Sequence, residues 1–407
     1  MTSPVRERFL PSATHTLAWL VTLRFPLVVY AASRLVDGIL LWWLTRDQVA
    51  MPDPRYPGYH SGAPTPSSPD YWTATTLWDG QWYRTIVEEG YPSALPMEGD
   101  GSVSRSTWAF YPAYPMLVRA VMWVSRAPFE VVAPTLSTVL GAGAVCLLYR
   151  LVANAGGVNS ARAAVVGVCT YAAAPVFQVA YPESLALLLV LLCLWLAQRG
   201  AWAWFAAAAT LLSVTRPLVA ALGGALVLAA LLPWPGGDRP DPAHRRRLLA
   251  AGVGSGALAF VWPAVAAAVT GRWDAYVATA RAWTAGLGGP FPGLTVWGGS
   301  LGWAGVLLLI ALISWLLLLA WRPRAAGWGT PLRAWMVAYP LYLFATTVPG
   351  PSHIRYLALV GVVPFAATER PGRSVRRWAG LVVVAVAGTL AQVLWIRYFW
   401  RLVGTTP

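Results

Sequence analysis

The segment of this sequence best equipped for chemistry is Leu77-Trp78-Asp79-Gly80-Gln81-Trp82-Tyr83-Arg84, continuing to Ile86 and Gly90-Tyr91. On a helix, Asp79, Trp82, Tyr83 and Ile86 share one face, so a carboxylate stands among aromatic and apolar groups. Such surroundings suit a carboxylate to proton abstraction. The same letters have a structural reading: Thr76-x-x-Asp79 matches a helix start with an acid at the third helical position. Spacing alone balances the two evenly.

Charges near apolar runs come next, because holding them there is costly unless they pair or face a polar cavity. Arg34 and Asp37 lie one helical turn apart and are expected chiefly to neutralise each other. Glu183 in Tyr181-Pro182-Glu183-Ser184, Arg216 in Thr215-Arg216-Pro217, and His353 with Arg355 in Ser352-His353-Ile354-Arg355-Tyr356 all fall at expected turns. With Asp79 they could surround one outward cavity; singly, each has snorkelling or helix capping as an equal alternative. Arg24 reads as a snorkelling residue, and Gln178 as either a cavity residue or a bridge between helices. Most of the 24 tryptophans, such as Trp42, Trp43, Trp202 and Trp321, fit an interface belt, whereas Trp78, Trp82 and Trp108 are expected to gather around the carboxylate. Cys146, Cys169 and Cys193 sit in apolar runs without ligand or disulfide spacing, and no phosphate loop or HExxH occurs, so no metal or other cofactor is called for.

The elements that must position these groups are membrane spans. Of 407 residues, 57% are hydrophobic and 11% charged, and the mean hydropathy is +0.55. Apolar runs fall near 17–44, 130–151, 161–180, 183–198, 201–215, 217–233, 248–270, 300–321, 333–348, 354–368 and 378–400, several of them short enough to need tight packing or tilt. Arginine clusters separate them, at Arg150 with Arg162, Arg199, Arg239 with Arg245 to Arg247, Arg322 with Arg324 and Arg333, and Arg370 to Arg377. All 30 basic residues are arginine, and the net charge of +14 lies in these clusters and not along a stripe with interleaved aromatics, which argues against nucleic acid. The clusters alternate sides provided that 111–125 lies on the surface as an interfacial helix. That gives an all-α polytopic membrane protein of about 11 spans, range 10 to 13, in a single integral domain, 1–407, with the N-terminus cytoplasmic and the C-terminus outside. The extracytoplasmic elements are then a first loop at 45–129, a second at 271–299, and tight turns carrying Glu183, Arg216 and Arg355. Half of the 16 acidic residues fall within 45–107, and 51–69, rich in Pro, Ser and Gly, reads as irregular.

The order Trp78-Asp79-Gly80-Gln81-Trp82-Tyr83, Gly90-Tyr91 and Ala109-Phe110-Tyr111-Pro112-Ala113-Tyr114-Pro115 resembles the PIG-V family, which includes GPI mannosyltransferase II, and its bacterial members. Ala174-Pro175, Tyr181-Pro182-Glu183-Ser184-Leu185, Thr215-Arg216-Pro217 and His353-Ile354-Arg355-Tyr356 extend the resemblance over nearly the whole chain. Gly80 after the acid, where a larger residue is usual, and the Pro-rich insertion before it depart from the eukaryotic pattern. The resemblance implies a bundle of the GT-C glycosyltransferases, multispan enzymes that use lipid-phosphate sugars, with surface helices and a catalytic acid in the first outward loop, and for this chain the plasma membrane is the expected location. Asp79 matches that acid.

The expected activity is inverting transfer of a sugar, mannose by resemblance, from a polyprenyl-phosphate donor to an acceptor hydroxyl on a lipid, glycan or protein at the outer face. Asp79 is the expected base. Arg355, Arg216 and His353 are the expected partners of the donor phosphate, and Trp78, Gln81, Trp82, Tyr83, Tyr111, Glu183 and Tyr356 those of the substrates. The rivals are a flippase or transporter of lipid-linked sugars and a transferase of arabinose or glucose.

Overall fold

In lipid, backbone polar groups have to be satisfied within their own segment, and the apolar runs meet this demand as helices. The computed structural model describes residues 13–51, 65–235, 240–283, 296, 302–322, 330–348, 350, 352–360 and 374–402. Residues 52–64 of the first expected loop, most of 284–299 in the second, and the arginines Arg239, Arg324, Arg370 and Arg373 lie outside them. The described residues are helical, with two isolated bridges, Met51 with Thr65 and Met97 with Val103, and no strand.

In chain order the helices are α1 (Ala13–Leu44), the single turn α2 (Tyr71–Ala74), α3 (Asp79–Glu88), α4 (Ala113–Ser125), α5 (Phe129–Cys169), α6 (Glu183–Arg199), α7 (Trp202–Ser213) and α8 (Val219–Leu231). They continue with α9 (Pro242–Leu258), α10 (Val261–Thr270), α11 (Ala275–Trp283), α12 (Gly302–Trp321), α13 (Thr330–Thr346), α14 (Ser352–Leu357) and α15 (Ser374–Trp395). The expected runs 130–151 and 161–180 differ from this: helix continues through the gap between them, broken only at Gly157 (φ 83°, ψ 168°), and stops at Cys169. Residues Ala174–Gln178 form a 3-10 turn instead. The run 248–270 begins earlier, at Pro242, because the Asp241 carboxylate caps the amides of Ala243 and His244, and it divides into α9 and α10.

Among the described residues, five stretches can cross a membrane by length and composition: Leu23–Leu44, Phe129–Cys169, Pro242–Thr270, Gly302–Trp321 and Trp378–Trp400. Helices α7 and α8 are apolar but shorter. Helices α6 and α13 have 17 residues each, about 26 Å of helix at 1.5 Å per residue. Most of α6, α8 and α13 is enclosed, and the long α5 buries much of its length, while α1, α12 and α15 expose Leu35, Leu307, Leu308, Val382 and Val383. Helices α1, α12 and α15 thus contribute to an apolar exterior around a core that includes α5, α6, α8 and α13. Close packing inside depends on small residues. A Cβ at Gly223 of α8 would stand 2.6 Å from the Gly252 carbonyl oxygen of α9, so the two backbones meet with no room for a side chain.

The first loop is ordered where it is described. Met51 and Thr65 exchange backbone hydrogen bonds of 2.8 and 3.2 Å, joining the two ends of the Pro-rich stretch. Helix α4 buries Tyr114, Pro115 and Val118 and exposes Met116, Leu117, Trp123 and Val124. A separate aromatic cluster, Trp108, Tyr111, Trp262 and Tyr276, fixes the loop to α10 and α11.

Candidate active site

Asp79 is the first residue of α3, directly after Trp78, whose backbone is at φ 55°. Thr76 does not cap this helix; its hydroxyl donates to the Thr73 carbonyl at 3.0 Å. The capping pattern is therefore absent, although Asp79 stands in the first turn, where the helix dipole favours a carboxylate. Its amide donates to the Tyr181 hydroxyl at 3.0 Å.

Three distant turns converge on this carboxylate. Arg355, on α14, donates from Nη1 to Asp79 Oδ2 at 2.7 Å. Its Nε lies 3.4 Å from Glu183 Oε1, and Arg216, in the α7–α8 turn, donates to that same oxygen. Asp79, Arg355, Glu183 and Arg216 thus alternate in sign along one chain of contacts. Tyrosine rings flank it: the Arg355 guanidinium lies 4.7 Å from the Tyr181 ring centre and 4.9 Å from that of Tyr356, and Arg216 lies 5.0 Å from Tyr356. Glu183 opens α6 after Pro182 and is wholly buried, so dipole and arginines together offset its desolvation.

Exposure separates the members. The side chain of Asp79 is 24% exposed and that of Arg355 3%; Arg216 is 13% exposed and Glu183 0%. The chain therefore opens at Asp79. The apolar surroundings expected from helix spacing are present in Tyr83 and Ile86, but the nearest partner of the carboxylate is a guanidinium. Burial pushes the Tyr83 hydroxyl well above its ordinary pKa, so it remains neutral.

The remaining expected residues divide. Tyr356 belongs to the charged chain, its hydroxyl taking a 3.2 Å bond from Arg355 Nη2. His353 has both ring nitrogens engaged locally, Nδ1 accepting from the Gly350 amide at 3.2 Å and Nε2 paired with Thr347 Oγ1 at 2.8 Å. Burial lowers its pKa, so it closes the α13–α14 turn as a neutral ring. The three tryptophans do not gather around Asp79. Trp78 donates to the Trp400 carbonyl, Trp82 stacks on Phe110 at 5.8 Å, and Trp108 packs in the separate cluster with Tyr91 and Trp262. Tyr111 is in that cluster too, its hydroxyl 3.0 Å from that of Tyr276. Gln81 is half-buried on the far side of α3, with Oε1 unpartnered. Among the described residues, no three His, Cys, Asp or Glu side chains are placed to hold a metal.

Two contributors are missing from the sequence expectations. Tyr181 is quoted there only as part of a motif, and its proximity to Glu183 is the signal that could have found it. Trp400 lies 322 residues from Trp78, and no local pattern marks it.

No family model matches the chain. No curated protein matches it either. Among solved structures, the oligosaccharyltransferase of Archaeoglobus fulgidus, crystallised tethered through a disulfide bond to an acceptor peptide containing the NVT sequon, aligns with a TM-score of 0.45 and 14% identity. The alignment covers 94% of this chain and 56% of that one, so the chain spans little more than half of that structure. On its own fold and composition, the chain is an all-α polytopic membrane protein.

Proposed function

We propose that this protein is a GT-C-type membrane glycosyltransferase that moves a sugar, mannose on the PIG-V resemblance, from a polyprenyl phosphate to an acceptor hydroxyl at the extracytoplasmic face. The observation that carries the reading is the Asp79–Arg355–Glu183–Arg216 chain, gathered from four distant segments and open at its carboxylate end. Interlinked charges held beside apolar spans at such expense belong to functional sites more often than to scaffolding.

The chemistry is one displacement. Asp79 takes the proton of the acceptor hydroxyl as its oxygen attacks the anomeric carbon, and the bond to the lipid phosphate breaks with inversion. Charge then develops on the departing phosphate, and fixed guanidinium donors stabilise it. Arg355 is the better placed donor, because it already holds Asp79 at 2.7 Å. A phosphate that draws Arg355 away also frees Asp79 to act as base, which couples donor binding to activation of the acceptor. Arg216 supports from the buried side through Glu183. A membrane-embedded donor suits an exterior built of long apolar helices.

The test supplies the purified protein with labelled polyprenyl-phosphate-mannose and candidate lipid, glycan and peptide acceptors, and compares wild type with Asp79→Asn. Loss of a positioned base is expected to lower transfer by about 10²-fold or more. Undiminished transfer by Asp79→Asn removes Asp79 from the mechanism. Movement of the lipid-linked sugar across a vesicle without transfer selects the flippase instead.

A further inference from the structure

We infer that Trp78 and Trp400 form a clamp that holds the Asp79 turn in a conformation its own residues disfavour, which makes both of them positioning residues for the carboxylate; the inference builds on the function proposed above.

Trp78 has φ 55° and ψ −117°, and the Gly80 amide donates to the Leu77 carbonyl at 3.1 Å. Together these define a type II′ turn with Trp78 at its first corner, a place dominated by glycine. A bulky residue there is strained and persists only where its surroundings over-determine it. Those surroundings are supplied by the distal end of the last helix. The Trp78 indole is buried and donates from Nε1 to the Trp400 carbonyl at 2.5 Å. Trp400 closes a π-turn, Ile396–Trp400, and donates its own Nε1 to the Ala74 carbonyl at 2.9 Å. Its ring lies 5.3 Å from that of Tyr181, whose hydroxyl receives the Asp79 amide. The two residues after the π-turn are fastened to the segment that follows α1, by Val49 donating to the Leu402 carbonyl at 3.1 Å and by the Arg401–Asp47 ion pair at 2.5 Å. Local π-turns of this kind recur at functional sites.

Released from Trp400, Trp78 returns to negative φ, and the next residue in the chain is Asp79. Its amide then leaves Tyr181 and its carboxylate leaves Arg355. Ordinary core packing predicts something different: side chains of equal size cost equal stability, whatever their freedom at positive φ.

The experiment uses the full chain in detergent with three variants, Trp78→Phe, Trp78→Ala and Trp78→Gly, and two readouts. Amide hydrogen exchange over residues 77–83 reports the turn. Trp78→Phe keeps a ring but loses the indole donor, and exchange there is expected to rise about tenfold while α6 and α8 stay protected. In sugar transfer, kcat is expected to fall by about tenfold or more with KM for the donor within about twofold, since small misplacements of a reacting group are costly. Glycine takes positive φ freely, so Trp78→Gly is expected to exceed Trp78→Ala in kcat although both lose the ring. Unchanged exchange in Trp78→Phe, or Trp78→Ala equal to or better than Trp78→Gly, overturns the clamp. If wild type transfers no sugar, the proposed function fails by itself and the exchange measurement alone decides the clamp.

Discussion

Asp79 and Glu183 carry the same charge in one chain of contacts, yet their surroundings assign them different work. Glu183 is wholly buried and serves two arginines, while Asp79 serves one and is partly open. Removing one partner from a buried pair leaves an uncompensated charge and costs about 3–5 kcal/mol, and less where a second partner remains. Glu183→Gln strips two arginines of their shared carboxylate and is therefore expected to lower the thermal midpoint in detergent more than Asp79→Asn, which leaves Arg355 beside Glu183 but lowers turnover by about 10²-fold or more. Thermal unfolding of the two variants beside wild type checks this, and equal midpoints refute it. All four charged members were legible in the sequence, because a charge beside an apolar run is conspicuous and its cost demands a reason. Their pairing was not legible. Which arginine meets which carboxylate depends on how turns at 181–183, 215–217 and 352–356 come together, and His353, two residues before Arg355, faces Gly350 and Thr347 instead.

Helix ends depend on caps and on single glycines, and here the sequence expectations and the structure part by several residues. Gly157 breaks α5 without ending it, and Asp241 starts α9 ahead of the apolar run. Long apolar elements such as α1 and α12 were legible from composition alone. Their connections depend on buried polar groups whose partners lie far along the chain. Arg34 shows this. Its Nη2 meets Asp37 Oδ2 at 2.7 Å within α1, as the one-turn spacing suggested, but Nη1 also donates to the Ala174 carbonyl at 2.7 Å. The pair thereby joins α1 to the 3-10 turn that leads into Tyr181 and Glu183. Because a buried ion pair is costly to halve and often nearly neutral to replace outright, the two single variants Arg34→Leu and Asp37→Leu should each be destabilised by about 3–5 kcal/mol, and the double variant by less than either. A thermal double-mutant cycle measures this; additive losses would mean that the two side chains do not depend on each other.

At the scale of the whole molecule, α6 separates two kinds of chemistry. Its first residue is Glu183 and its last is Arg199, about 24 Å apart along the helix axis at 1.5 Å per residue. Beside the Arg199 end, Trp202 at the start of α7 packs 5.4 Å from His244, which precedes the exposed Arg245, Arg246 and Arg247 on the first turns of α9. The Asp79–Arg355–Glu183–Arg216 site and the basic cluster thus occupy opposite ends of one buried helix. Positively charged loops are preferentially retained in the cytoplasm, and transfer at the outer face, as proposed above, requires Asp79 to lie on the side opposite this basic cluster. The sequence already implied this sorting, through the acids concentrated at 45–107, but it could not show that Arg199 and Arg245 to Arg247 share one end. To test the orientation, single cysteines are placed in a background with Cys146, Cys169 and Cys193 replaced by alanine. Asp100→Cys lies in the exposed turn between Met97 and Val103, and Arg246→Cys lies on exposed α9. A membrane-impermeant maleimide added to intact cells is expected to label the first and to reach the second only after permeabilisation. The reverse pattern would place Asp79 in the cytoplasm, and the proposal of transfer at the outer face would fall with it.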